Sequence, residues 1–245
     1  LAPHLARRWR VIAPDLRGHG DSQWTSDGSY TMHGYLYDLA QLIHQLRLAP
    51  VPIIAHSLGG MISTRYAAAC PDNITRMVLI EGLGLSPRLI AATESKPPAV
   101  RLGQWVERTR ALAGRVPRRY PSLTEAAARM REANKRLTVE QAHHLTLNSL
   151  LQNEDGTWTW KFDPYLHVWP PYDMPSADIA QLWKAIRCPL LCLYGGESEA
   201  SDPREDGRAA HLAKAEFVTV PGAGHWVHHD RLDAVIELAD RFLDV

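Results

Sequence analysis

Residues 51–80 hold an apolar run, a segment of helical period and a second apolar run, with almost no connecting chain between them. Val51–Ala55 and Met77–Ile80 are too short and too uniformly apolar for exposed elements. Met61, Ile62, Tyr66 and Ala69 recur between them at the spacing of one helix face. Two buried strands joined through a helix run parallel, because antiparallel neighbours need only a tight turn. Arg10–Pro14 reads as an earlier buried strand, followed by a helix whose apolar face is Tyr35, Leu36, Leu39, Leu42, Ile43 and Leu46. Leu190–Tyr194 and the more alternating Glu216–Val220 read as later strands. A last helix, about 232–243, turns Val235, Leu238, Ala239 and Phe242 inward. Strand and helix in alternation imply an α/β chain with a mostly parallel sheet and helices on both faces.

Residues 86–184 interrupt that alternation, which divides the chain into a first core part (1–85), an inserted and mainly helical block (86–184) and a second core part (185–245). Ser122-Leu-Thr-Glu125 and Thr138-Val-Glu-Gln141 are capping-box sequences, and 101–113 is a third candidate helix. Trp158, Trp160 and Phe162 fall at period two, so a short extended segment with one aromatic face is expected there. Prolines at 164, 170, 171 and 175 make the return to the sheet irregular. The block is expected over the carboxyl edge of the sheet, where parallel sheets bind ligands. Its tryptophans at 105, 158, 160, 169 and 183 suit either an apolar substrate or the block's own core. Segment 101–136 carries ten Lys and Arg against three acids, the pattern of solvated helix faces.

Charge and cysteine content exclude several function classes. Lys and Arg balance Asp and Glu at 27 each, so no global field attracts nucleic acid or an anionic membrane. No apolar run reaches the length of a bilayer span. Three cysteines make an unpromising disulfide framework and point to a reducing, cytoplasmic setting. Cys188 and Cys192, placed on one strand, are about 13 Å apart and read as core thiols.

Ser57 lies where the first strand of the 51–80 unit meets its helix, in Ala55-His-Ser57-Leu-Gly59. Small residues on either side let the chain turn sharply, which exposes the hydroxyl at the strand's carboxyl end and frees the Leu58 backbone N–H to face an oxyanion. A helix-capping serine is the plainer reading of the same residues. A serine nucleophile needs a base held by a third group. His225, in Pro221-Gly-Ala-Gly-His225-Trp after the last strand, is the candidate base, because glycines let its loop swing over the sheet edge.

Four motifs, spread from end to end, resemble lidded esterases and lipases of the α/β-hydrolase fold. They are Val11-Ile-Ala-Pro-Asp15-Leu-Arg-Gly18-His-Gly20-Asp-Ser22, the turn at Ser57, Val78-Leu-Ile-Glu81-Gly-Leu-Gly84 and Gly222-Ala-Gly-His225-Trp-Val-His-His-Asp230. The family's Gly-x-Ser-x-Gly stands here with Ala55 at its first position, a departure that some family lipases share. The resemblance implies a serine hydrolase acting on a small, largely apolar carboxylic ester, or a thioester, through an acyl-enzyme on Ser57. The alternative is a non-catalytic or very slow ligand-binding member of the same fold.

The acid is less fixed. Family members often carry it at the fourth position of a Gly-x-x-Asp turn, which counted from Gly195 is Ser198, a residue unable to hold an imidazolium as a carboxylate does. Glu197, Glu199 and Asp202 lie close by in sequence. Glu81 is preferred: a carboxylate at the end of a buried strand needs a partner, and the His225 loop supplies one. A structural carboxylate binding backbone N–H groups is its plainer reading. Leu5 and Trp9, one turn apart, give 1–9 the look of a helix, and the resemblance implies a segment of several strands upstream of Leu1, with the second oxyanion donor. No cofactor is expected, and no metal, since the histidine pairs 143–144 and 228–229 lack ligand spacing. His19 and His56 read as turn and packing residues.

Overall fold

The computed structural model describes residues 1–244. In chain order its helices are α1 (Ala2–Leu5), α2 (Met32–Gln45), α3 (Leu58–Ala69), α4 (Pro87–Glu94), α5 (Pro98–Leu112), α6 (Leu123–Ala133), α7 (Val139–Ser149), α8 (Ser176–Ala185), α9 (Val227–Asp230) and α10 (Leu232–Leu243). Its strands are β1 (Val51–His56), β2 (Ile74–Ile80), β3 (Leu150–Gln152), β4 (Trp158–Trp160), β5 (Leu190–Gly195) and β6 (Ala215–Val220). The chain divides into two compact units. One comprises Leu1–Ile12, Met32–Lys96 and the chain from Asp173 onward; the other comprises Ala13–Thr31 and Pro97–Tyr172.

In the first unit β1, β2, β5 and β6 pair in that order, all parallel, which is the α/β architecture that the alternation implies. Period-two alternation divides the strand side chains between two cores. Met77, Leu79, Leu190, Cys192 and Tyr194 pack with Ile43 of α2, Tyr66 and Ala67 of α3 and Trp183 of α8. Val78, Ile80, Leu191 and Leu193 face the other way, onto Leu5 of α1, Val227 of α9 and Val235 and Leu243 of α10. Helices therefore cover both faces, and β2 and β5 in the middle are apolar throughout. Met77, Val78, Leu79, Leu191 and Leu193 are fully buried, each stabilising the fold by about 1.5–3 kcal/mol.

Some expectations fail, each for a physical reason. Arg10–Pro14 forms no strand, and Val11 and Ile12 are 37% and 36% exposed. A strand needs a neighbour for its N–H and C=O groups, and no strand among the described residues lies beside this one. Of the helix expected over 1–9 only Ala2–Leu5 is α-helical; Leu5 is buried and Trp9 exposed. Cys188 precedes β5 rather than lying on it, and all three cysteines are free. The chain after Pro175 forms α8, which packs on α3 and puts Trp183 in the first unit's core.

In the second unit α6 and α7 pack together, and each is capped as its sequence dictates. Ser122 accepts from the Glu125 N–H, while Thr138 and Gln141 satisfy each other's backbone donors. β3 and β4 pair antiparallel, and Tyr120 bonds Trp158 through both backbone groups at 2.8 Å. Trp158 and Trp160 pack against Tyr120, Ala126 and Leu150, so they belong to this unit's own core. Tyr30 ties in the earlier segment by donating from its hydroxyl to the buried Asp163 at 2.6 Å. The basic stretch 101–136 includes exposed ion pairs Arg110–Glu107 and Arg129–Glu132, as solvated helix faces do.

Candidate active site

Two adjacent strands end in the same unusual way. Ser57 follows β1 with φ 49° and ψ −115°, and Glu81 follows β2 with φ 49°. A non-glycine residue in such a conformation costs on the order of 1–3 kcal/mol and persists only where its surroundings hold it. Here the sheet does so: the Ser57 N–H donates to the Ile80 carbonyl at 3.0 Å, and the Glu81 N–H to the Leu193 carbonyl at 2.9 Å. Close backbone approach beyond the turns does the rest. A β-carbon on Gly60 would lie 2.4 Å from the Gly82 Cα, so only glycine lets the two turns touch.

Ser57 occupies the N-cap position of α3, but its hydroxyl makes no capping bond. It lies instead 3.1 Å from Nε2 of His225. Nδ1 of the same ring lies 3.0 Å from Oε2 of Glu81. A carboxylate can only accept, so Nδ1 carries the proton and Nε2 is left to receive the serine's. The Glu81 side chain is fully buried and has three donors, because Oε1 accepts from the Gly195 N–H and Oε2 from the Ser198 hydroxyl, both at 2.9 Å. A buried carboxylate satisfied this way stays in place without the penalty of an unpaired charge. Leu58 is the first residue of α3 and follows Ser57 directly, so its N–H has no acceptor within the helix. The arrangement offers a hydroxyl, a base that can take its proton, a carboxylate that fixes the base, and a backbone donor.

His225 is held by more than its ring. His56, the last residue of β1, donates from Nε2 to the His225 carbonyl at 3.0 Å, and its ring lies 4.8 Å from that of His225 and 4.7 Å from that of His228. Burial pushes His56 down to about 4 and His228 to about 3, against an ordinary value of 6.5. Neighbouring histidines add to the depression at His228. Both rings are therefore neutral beside His225 near neutral pH. Their folded values lie below their unfolded ones, so between pH 6.5 and about 4 the unfolded chain binds more protons and stability falls as pH falls. Each ring contributes up to about 1.4 kcal/mol per pH unit in that window. Urea unfolding at pH 6.5, 5.5 and 4.5 is expected to show this slope, with His228→Leu flattening it by one ring's share. Equal slopes for the two proteins would mean that His228 is not buried as described.

The sequence profile described as the alpha/beta hydrolase family matches residues 1–238. The chain belongs to the alpha/beta hydrolase family. It is 27% identical over 237 residues to an sn-1-specific diacylglycerol lipase of Mus musculus, covering 96% of this chain and 71% of that one. It is also 27% identical over 254 residues to an esterase of Mycobacterium tuberculosis, covering 96% and 74%. Among solved structures, the thioesterase domain from the curacin biosynthetic pathway superposes with a TM-score of 0.79 at 25% identity, over 96% of this chain and 83% of that one.

The other residues singled out in the sequence of this alpha/beta hydrolase lie elsewhere. Glu197 and Glu199 are exposed in the turn after β5, and Asp202 is taken up by Arg204. His19 is a turn residue whose Nδ1 meets the Arg17 carbonyl. Among the described residues no group of three or more His, Cys, Asp or Glu side chains could hold a metal ion, and no helix is long and apolar enough to cross a membrane. Two site contacts escape the sequence reading. His56 is a tether as well as a packing residue, and Ser198, weighed there only as a failed acid, is a hydrogen-bond donor to Glu81.

Proposed function

We propose that this alpha/beta hydrolase cleaves a carboxylic ester of a small, largely apolar substrate, through an acyl-enzyme on Ser57. The observation that carries the reading is the relay Ser57 Oγ to His225 Nε2 at 3.1 Å and His225 Nδ1 to Glu81 Oε2 at 3.0 Å. The lipase and esterase names of its relatives support an ester-bond hydrolase. In the first half-reaction His225 takes the Ser57 proton as Oγ attacks the acyl carbon, and the Leu58 N–H donates to the oxygen that becomes negative. The imidazolium passes its proton to the departing alcohol. In the second half-reaction water attacks the acyl carbon as His225 takes its proton, and the imidazolium returns that proton to Ser57 Oγ as the bond to the acyl group breaks and the acid leaves. Glu81 holds the ring in the Nδ1–H tautomer throughout and balances its charge.

A fluorophosphonate probe is expected to label the folded protein once, at the peptide containing Ser57. A series of p-nitrophenyl esters from acetate to laurate is expected to be hydrolysed with a preference for short to medium chains. A folded protein that takes no label and turns over no ester would instead be a ligand-binding member of the family. Turnover confined to acyl-thioesters would replace the substrate class while keeping the nucleophile.

A further inference from the structure

The turn at the end of β5 makes contact with Glu81 and with the chain that leads to His225. Its first residue, Gly195, donates its N–H to Glu81 Oε1, and its fourth, Ser198, donates its hydroxyl to Glu81 Oε2, each at 2.9 Å. The turn closes on itself through the Ser198 N–H to the Gly195 carbonyl at 3.1 Å. Its middle residues reach the loop that carries the base: the Gly196 N–H donates to the Val220 carbonyl at 2.9 Å and the Glu197 N–H to the Ala223 carbonyl at 2.8 Å. One four-residue turn thus holds the acid with its two ends and the approach to the base with its middle.

The direction of the Ser198 hydroxyl is also set. Its oxygen accepts from the Ala200 N–H at 3.1 Å, so a lone pair faces that donor and the hydroxyl proton is left to point at the carboxylate. Oε2 is the oxygen that His225 Nδ1 engages, and with Oε1 pinned by Gly195 the carboxylate plane cannot rotate away. We propose that Ser198 is a positioning residue for the reaction: it acts through Glu81, fixing the carboxylate oxygen that orients the His225 ring, and touches no reacting atom itself. This inference rests on the proposed roles of Ser57, His225 and Glu81.

The test is a set of variants measured on p-nitrophenyl butyrate, with thermal unfolding recorded for each. Ser198→Ala is expected to lower kcat about 10-fold with KM unchanged, the scale of one hydrogen bond to a buried charge. Ser198→Thr, which keeps the hydroxyl, is expected to recover most of that loss. A residue that works only through Glu81 has nothing left to position once the carboxylate is gone, so Ser198→Ala added to Glu81→Gln is expected to change kcat no further. Wild-type kcat in Ser198→Ala overturns the proposal. So does a 10-fold loss that persists in the Glu81→Gln background, which would mark a general effect on the fold. If Ser57→Ala and Glu81→Gln themselves leave hydrolysis intact, the proposed function has failed instead, and the two failures are told apart within one experiment.

Discussion

Ser57→Ala is expected to lower kcat/KM for ester hydrolysis by about 10⁵-fold or more, the scale on which removing a serine nucleophile acts. The fold should be unaffected, since the hydroxyl caps no helix and its hydrogen-bond partner is the half-exposed ring of His225. Alanine fits the same turn with one atom fewer. The melting temperature should therefore stay within a few degrees of the wild-type value, and fluorophosphonate labelling should vanish. A variant that keeps activity within 10-fold of wild type, or still takes the label, would place the nucleophile elsewhere.

Glu81→Gln has the second largest expected effect, a fall in kcat of about 10⁴-fold, comparable to replacing the acid of a serine triad by its amide. The buried side chain now faces three donors, Gly195 N–H, Ser198 Oγ–H and His225 Nδ1–H, with one good acceptor and an NH₂ group. Whichever way the amide turns, one donor meets another. If the NH₂ faces His225, the ring must present a bare Nδ1 and hold its proton on Nε2, where it opposes Ser57. Glu197→Gln and Glu199→Gln, in the exposed part of the turn, are expected to stay near wild-type activity. Loss in Glu199→Gln together with an active Glu81→Gln would move the acid into that turn.

The parts of this molecule that can be read from the sequence are those whose cause is local. Short unbroken apolar runs mark β2 and β5, and period 3.6 marks α2, α3 and α10. The Ser122 and Thr138 caps stand in the sequence as the residues that make the bonds. The juxtaposition of Ser57, Glu81 and His225, on which the proposed function rests, could be anticipated because each follows a strand at a turn with small residues nearby. What escapes depends on partners distant in the chain. Arg10–Pro14 has the composition of a strand, but composition supplies no neighbour for its backbone. The aromatic alternation at Trp158 and Trp160 marks β4, but its partner β3 is missed because Leu150 and Leu151 continue the apolar spacing of α7, and only pairing with β4 separates them from that helix. The contacts of Ser198 with Glu81 and of His56 with the His225 carbonyl join residues 117 and 169 positions apart, and no periodicity reports those.

The sheet order also sets a sequence of events. β1 and β2 are neighbours in the chain and close a short loop, whereas β2 meets β5 only when Met77 finds Leu190 beyond the Pro97–Tyr172 segment of the second unit. Joining ends separated by roughly 110 residues carries an entropy cost of about 4 kcal/mol before any ladder bond repays it. Until that closure Ser57 and Glu81 sit on a two-stranded fragment, and the carboxylate has neither Gly195 nor His225 to accept from. A ribosome-bound chain can therefore form the turn at Ser57 early, yet reactivity toward a serine probe should emerge late and in one step, after the His225 loop has cleared the exit tunnel.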